Sequence, residues 1–218
     1  MAEPKHHSDL IVRHPTHERV QHWLLTIVFI FTATSGLALF HPSMVWLANL
    51  TGGGPWTAIL HPFLGLVMLL VFLVFAIPGW RHNVLTRDDV TWLKNIKYVV
   101  TGEEEKLPEV GKYNAGQKML YFTLLACMLG LAATGVVFWR RYFADYFSVD
   151  IVRLGALAHA FLAFVLLVCI VVHVSAAVWE AGSVSSMVRG TVTPGWAYKH
   201  RRAWLRELIR PSGTSKPA

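Results

Sequence analysis

A chain of 218 residues with 54% hydrophobic and only 15% charged residues has too little polar surface for an ordinary water-soluble domain, so the bilayer is its expected solvent. The formal charge of +7 is spread over separate segments with no binding motif, which argues against a nucleic-acid partner. Cys127 and Cys169 both lie inside apolar runs, leaving no framework of disulfides and no zinc or iron–sulfur motif; they read as small apolar fillers.

In chain order, residues 1–19 form a polar N-terminal tail. The apolar run behind it is longer than a signal-peptide core and follows about twenty polar residues, so it is expected to stay as the first helix. Stretches without Asp, Glu, Lys or Arg cover 20–40, 57–79, 119–139 and 154–179, which are 21, 23, 21 and 26 residues long. Each meets the roughly 20 residues that a helix needs to cross a hydrocarbon core. Buried helices of a soluble protein are the alternative, but four such runs in one small chain speak against it. The expected fold is an all-α integral membrane protein, a four-helix transmembrane bundle over residues 20–179 followed by a C-terminal tail, 180–218.

Lys and Arg set the orientation. The N-terminal tail, the segment 80–118 and the C-terminal tail hold 17 of them, against 3 in the connections 41–56 and 140–153. The positive-inside rule therefore predicts that both termini and the middle segment are cytoplasmic. Trp23, Trp46, Trp56, Trp80, Trp139 and Trp179 fall near helix ends, as an interfacial aromatic belt requires. Within the middle segment, Trp92, Ile96 and Val99 share one face of a short helix predicted over 89–100, lying on the membrane or solvated. The tail over 196–210 alternates basic and apolar residues, leaving Trp204, Leu205 and Leu208 able to meet lipid or a partner. Residues 211–218 have the composition of a disordered end.

Intramembrane histidines are costly and are functional candidates by default. Four occur: His22 at the start of helix one, His61 at the start of helix two, and His159 and His173 on helix four. A separation of 14 residues on one helix is about 21 Å of rise and 40° short of four turns, so His159 and His173 look the same way from opposite leaflets. Helix one begins in the cytoplasm and helix two outside, which puts His22 level with His173 and His61 level with His159. Two imidazoles per level match the axial needs of a six-coordinate haem iron, whose closed coordination suits electron transfer. The reading is two haems b, held non-covalently because no Cys-x-x-Cys-His occurs. Gly36 follows His22 by 14 residues; its missing side chain admits either a porphyrin or a close helix neighbour. His6, His7, His14, His17, His82 and His200 fall in aqueous segments, and His41 beside Pro42 suits a surface or capping role. His14 and His17 compete with His22 but lie outside the apolar run.

The run 110–118, Val-Gly-Lys-Tyr-Asn-Ala-Gly-Gln-Lys, resembles the cytochrome b gamma subunit of membrane-bound respiratory formate dehydrogenases. So do Gln21-His-Trp23, the Ile-Leu-His-Pro-Phe of 59–63, Ala158-His-Ala160 and Val172-His173. The resemblance covers about residues 10–205. It implies that His22 and His173 hold a cytoplasmic-side haem and His61 and His159 a periplasmic-side haem, in a bacterial inner membrane. It also implies an iron–sulfur beta subunit and a molybdenum or tungsten pterin alpha subunit as partners, with menaquinone or ubiquinone as acceptor. A quinone site is expected near Asn114, Gly116 and Gln117 with His173; Asn114 and Gln117 also have the spacing of a helix cap. The cytochrome b subunit of a nickel–iron hydrogenase or thiosulfate reductase shares the histidines and remains an alternative. A haem-free transporter or structural anchor is an alternative of another class.

Overall fold

The computed structural model describes residues 10–210, apart from the side chain of Glu104. A short strand, β1 (Ile11–Val12), leads into α1 (Thr16–Phe40), and a 3₁₀ helix over Pro42–Thr51 connects it to α2 (Gly54–Asn83). The next elements are α3 (Arg87–Lys94), α4 (Lys97–Val100), α5 (Ala115–Val137) and α6 (Val149–Trp179). The chain then forms α7 (Ser183–Arg189), β2 (Thr191–Val192), α8 (Pro194–His200) and α9 (Arg202–Ile209). Among the described residues four helices, α1, α2, α5 and α6, are long and apolar enough to cross a membrane. The chain is thus a multi-pass membrane protein and mostly helical. One departure from an all-α fold is the antiparallel pairing of β1 with β2, Ile11 opposite Val192 and Val12 opposite Thr191.

Inside the four long helices, backbone groups have no water to turn to, so hydroxyl side chains bond back along their own helix. Thr26 donates to the carbonyl of His22 at 2.9 Å and Thr32 to that of Val28 at 2.8 Å. Pro62 and Pro78 each remove one donor from α2, which membrane helices tolerate.

Two compact units make up the chain: residues 17–79 with 121–176, and the described parts of 1–16, 80–120 and 177–218. The first unit is the helical bundle. Its core joins Met68, Phe72 and Ala76 of α2, Cys127 and Met128 of α5, and Leu166 of α6, with Leu25, Val28 and Phe29 of α1 packed against them. The tyrosine hydroxyl of Tyr121 donates to the Ala76 carbonyl at 3.0 Å, tying α5 to α2. Along the outer side of α6, Leu157, Phe161, Phe164, Val168, Val171 and Val178 form an exposed apolar stripe at helical spacing, suited to lipid or to a partner helix.

The second unit is polar and tightly bonded. Arg13 is 4% exposed, its guanidinium 4.8 Å from the ring centre of Trp196 and 5.5 Å from that of Trp204, with Nη2 donating to the Lys112 carbonyl at 3.2 Å. Trp204 therefore packs within its own unit, with Val192 and Ala197, and is not the lipid or partner contact its sequence position suggests; Leu208 remains exposed. Arg201 is bonded to Glu180 at 3.0 Å. The single helix expected over 89–100 is instead two: the turn at Asn95 and Ile96 separates α3 from α4, burying Trp92 and leaving Ile96 exposed. One Asp89 carboxylate oxygen accepts from the Thr86 N–H and hydroxyl at 2.7 and 2.8 Å and from the Lys118 ammonium at 2.8 Å. Burial alone would raise this carboxyl, but Lys118 and Thr86 outweigh it and hold Asp89 below the ordinary carboxylate value. The sequence-predicted disordered end, 211–218, lies outside the described residues.

Candidate functional site

α1 and α6 bring His22 and His173 together with ring centroids 6.3 Å apart and ring planes at 50°. α2 and α6 bring His61 and His159 together at the same 6.3 Å, with planes at 76°. The separation has a chemical meaning. An imidazole nitrogen bonds a metal at about 2.0–2.1 Å and the ring centre lies roughly 1.1 Å behind it, so two imidazoles flanking one metal have centroids roughly 6.3 Å apart. The same separation occurs at ordinary ring contacts, His82 with Tyr113 and Tyr142 with Phe143, so what distinguishes these two pairs is that both members are histidines within the membrane-crossing helices. Both pairs fit an axial bis-histidine metal.

The surroundings of His61 and His159 fit a macrocycle as well. They open on a cavity of about 1280 Å³, above the roughly 300–1,000 Å³ usual for small-molecule pockets. Its walls are largely apolar, with Phe29, Leu66, Phe138 and Leu167 among them, and the exposed Arg140 and Arg141 lie along it as partners for acidic groups of an occupant. Phe138 meets His159 edge-on with centroids 5.1 Å apart. Gly36 lines this cavity, and the group it admits is the imidazole of His61: a Cβ there would lie 3.0 Å from Cε1.

Sequence reasoning missed three residues. Gly135 of α5 stands to His159 as Gly36 stands to His61, with 3.4 Å between a Cβ and Cε1. Ser35 Oγ lies 2.9 Å from His61 Nδ1 and Thr134 Oγ1 lies 3.1 Å from His159 Nδ1. Their sequence signal is a hydroxyl residue followed by glycine, occurring once on α1 and once on α5.

Of the other histidines, His6 and His7 lie outside the described residues, and His14 is buried in the polar unit. His41 caps the 3₁₀ helix Pro42–Thr51, Nδ1 accepting from the Ser43 N–H at 3.2 Å. The His14 backbone N–H donates to Gly190 at 3.1 Å, within the polar unit; His82 faces Tyr113, and the His200 ring meets that of Trp196. Asn114 and Gln117 form a reciprocal cap on α5: Oδ1 of Asn114 accepts from the Gln117 N–H at 2.8 Å and Oε1 of Gln117 from the Asn114 N–H at 3.0 Å. Both carboxamide NH₂ groups stand outside this cap. The space that Gly116 leaves is filled by the Trp92 indole, 3.5 Å from where a Cβ would be.

Facing imidazole pairs inside a bundle of membrane-crossing helices are what a membrane cytochrome would need. A profile described as prokaryotic cytochrome b561 matches residues 13–190, and the chain belongs to that family. The formate dehydrogenase cytochrome b556(fdo) subunit of Escherichia coli (strain K12) is 41% identical over 200 residues, 92% of this chain and 94% of that protein. The formate dehydrogenase cytochrome b556 subunit of Haemophilus influenzae is 41% identical over 199 residues, covering 91% of this chain and 84% of its own. The nitrate-inducible formate dehydrogenase cytochrome b556(Fdn) subunit of Escherichia coli (strain K12) is 38% identical over 201 residues, 92% of this chain and 93% of that one. Membership in a b-type cytochrome family implies haem b as cofactor and sets aside the haem-free transporter or anchor.

Proposed function

We propose that this chain is the dihaem cytochrome b subunit of a respiratory formate dehydrogenase. It lies in a bacterial inner membrane with both termini cytoplasmic and passes electrons from an iron–sulfur partner to quinone. The observation that carries the reading is that four histidines of the membrane-crossing helices come together as two facing pairs, in a chain whose relatives are formate dehydrogenase cytochromes. His22 and His173 hold the cytoplasmic-side haem, and His61 and His159 the periplasmic-side haem. A haem b held between two such histidines would supply reversible one-electron transfer. The apolar lining around His61 and His159 excludes water, and a neutral imidazole is the form that binds a metal.

The partners in this reading are an iron–sulfur beta subunit, a molybdenum or tungsten pterin alpha subunit that oxidises formate, and menaquinone or ubiquinone. Quinone is reduced on the cytoplasmic side, where the carboxamide NH₂ groups of Asn114 and Gln117 serve as hydrogen-bond donors to a carbonyl. Gly116 serves the packing of Trp92 there. A pyridine haemochrome assay on the purified chain tests the core of the reading: two acid-acetone-extractable haems b per chain are expected, and a clearly lower number refutes it. For the quinone site, Asn114→Ala and Gln117→Ala complexes should lose quinone-analogue turnover and inhibitor affinity with both haems retained. Unchanged values in both variants leave these residues as a cap alone.

A further inference from the structure

The same two-residue device occurs on two different helices, Ser35-Gly36 on α1 and Thr134-Gly135 on α5, and each holds one histidine of the periplasmic-side pair. The hydroxyl proton settles what the contact means. Ser35 Oγ donates to the Thr32 carbonyl at 2.9 Å, and Thr134 Oγ1 donates to the Gly130 carbonyl at 2.7 Å. A hydroxyl has one proton, so toward the imidazole each oxygen can act only as acceptor. The ring proton of His61 and of His159 is thereby placed on Nδ1, where the Thr32 and Leu131 carbonyls accept beside the two hydroxyls, and Nε2 keeps the lone pair that a metal needs. Ser35 is fully buried, so no solvent water replaces its oxygen.

The glycine of each device acts on rotation. Cβ atoms at Gly36 and Gly135 would lie 3.0 Å and 3.4 Å from Cε1 of the facing ring, so each imidazole edge rests on the backbone of its neighbouring helix. The hydroxyls of Thr26 and Thr34 bond back to their helix in the same manner, at 2.9 and 2.7 Å, and neither bonds a histidine ring, so self-satisfaction of a hydroxyl does not by itself produce the alignment. We infer that Ser35-Gly36 and Thr134-Gly135 are matched positioning residues: they fix the tautomer and rotation of His61 and His159, and so set the affinity and potential of the haem these histidines hold. The inference rests on the dihaem reading above. An Nδ1–H that donates to oxygen makes the imidazole a more basic ligand and favours the ferric state. Loss of the acceptor therefore raises the midpoint potential of that haem.

The test uses the assembled full-length chain with its haems and the variants Ser35→Ala, Thr134→Val and Thr134→Ser, followed by potentiometric titration, low-spin EPR and haem titration. Ser35→Ala and Thr134→Val should raise the potential of one haem, alter its EPR anisotropy and weaken its binding roughly 10- to 100-fold, leaving the other haem unchanged. Thr134→Ser, which keeps the hydroxyl, should restore all three. Two haems with wild-type potentials and spectra in Ser35→Ala and Thr134→Val overturn this inference alone, as does a Thr134→Ser variant indistinguishable from Thr134→Val. A wild-type chain with no haem on His61 and His159 overturns the dihaem reading and this inference together.

Discussion

Replacing Gly36 with alanine places a methyl carbon 3.0 Å from Cε1 of His61. Carbon atoms settle at about 3.5–4.0 Å, so the overlap is roughly 0.5–1 Å. The imidazole has little room to retreat, because Ser35 holds Nδ1 at 2.9 Å on the same stretch of α1. Overpacking of this kind costs about 1–3 kcal/mol, whereas alanine improves on glycine inside a helix by about 0.8–1.0 kcal/mol. The net for the fold is a loss of about 0–2 kcal/mol. The histidine is what moves, so binding of the haem on His61 and His159 should weaken about 5- to 150-fold, more than the loss of stability that thermal unfolding of the chain shows. Gly135→Ala is the graded control: at 3.4 Å its methyl group makes a contact that a few tenths of an ångström relieves, and its effect should be smaller. Haem titration of both variants, with thermal melting in parallel, measures the comparison. Wild-type affinity in Gly36→Ala, or a larger loss in Gly135→Ala, refutes the packing argument.

Among the ligands, His61→Ala and His159→Ala should each lose one and the same haem, and His22→Ala and His173→Ala the other; a shared phenotype for His22 and His61 breaks the pairing. Lys118→Met strands the Asp89 carboxylate, whose side chain is 10% exposed, and should destabilise the chain by about 3 kcal/mol in thermal melting at neutral pH. Because the folded-state value of Asp89 lies below its ordinary 3.8, the contribution is fully present above that pH and is lost as pH falls through the lowered value. Melting temperatures of wild type and Lys118→Met should therefore converge only in strong acid, and convergence near pH 6 contradicts the assignment. Arg13→Lys keeps the charge but loses the planar stack between Trp196 and Trp204, and should cost about 1–2 kcal/mol, read as faster proteolysis at the terminal segments.

The four membrane helices and the facing of His22 with His173 and of His61 with His159 were legible because two rules act locally. Charge is excluded from long apolar runs, and a 14-residue interval returns to one helix face. Helix ends were less legible: α1 starts at Thr16, four residues before its uncharged run, since Glu18 and Arg19 are tolerated in a first turn. The break between α3 and α4 escaped the periodicity of Trp92, Ile96 and Val99, because burial of Trp92 is decided by residues far along the chain. Trp204 was misplaced for the same reason, its partners Arg13 and Val192 being remote in sequence. Ser35 and Thr134 were overlooked because a hydroxyl in a membrane helix ordinarily bonds back to its own backbone. Only the approach of a second helix shows that the same oxygen also faces a histidine.

Between the two histidine levels, the core of the bundle is filled by Met68, Phe72, Cys127, Met128 and Leu166, within stretches, 20–40, 57–79, 119–139 and 154–179, that hold no Asp, Glu, Lys or Arg. In electrical terms this layer is a dielectric between two plates. Hydrated protons find no chain of polar groups there, whereas an electron needs none. A charge carried across the full span works against the membrane voltage by about 2.3 kcal/mol per 100 mV. On the proposed dihaem reading, the distribution of electrons between the two sites answers to membrane potential: energising the membrane should shift the two midpoint potentials relative to each other.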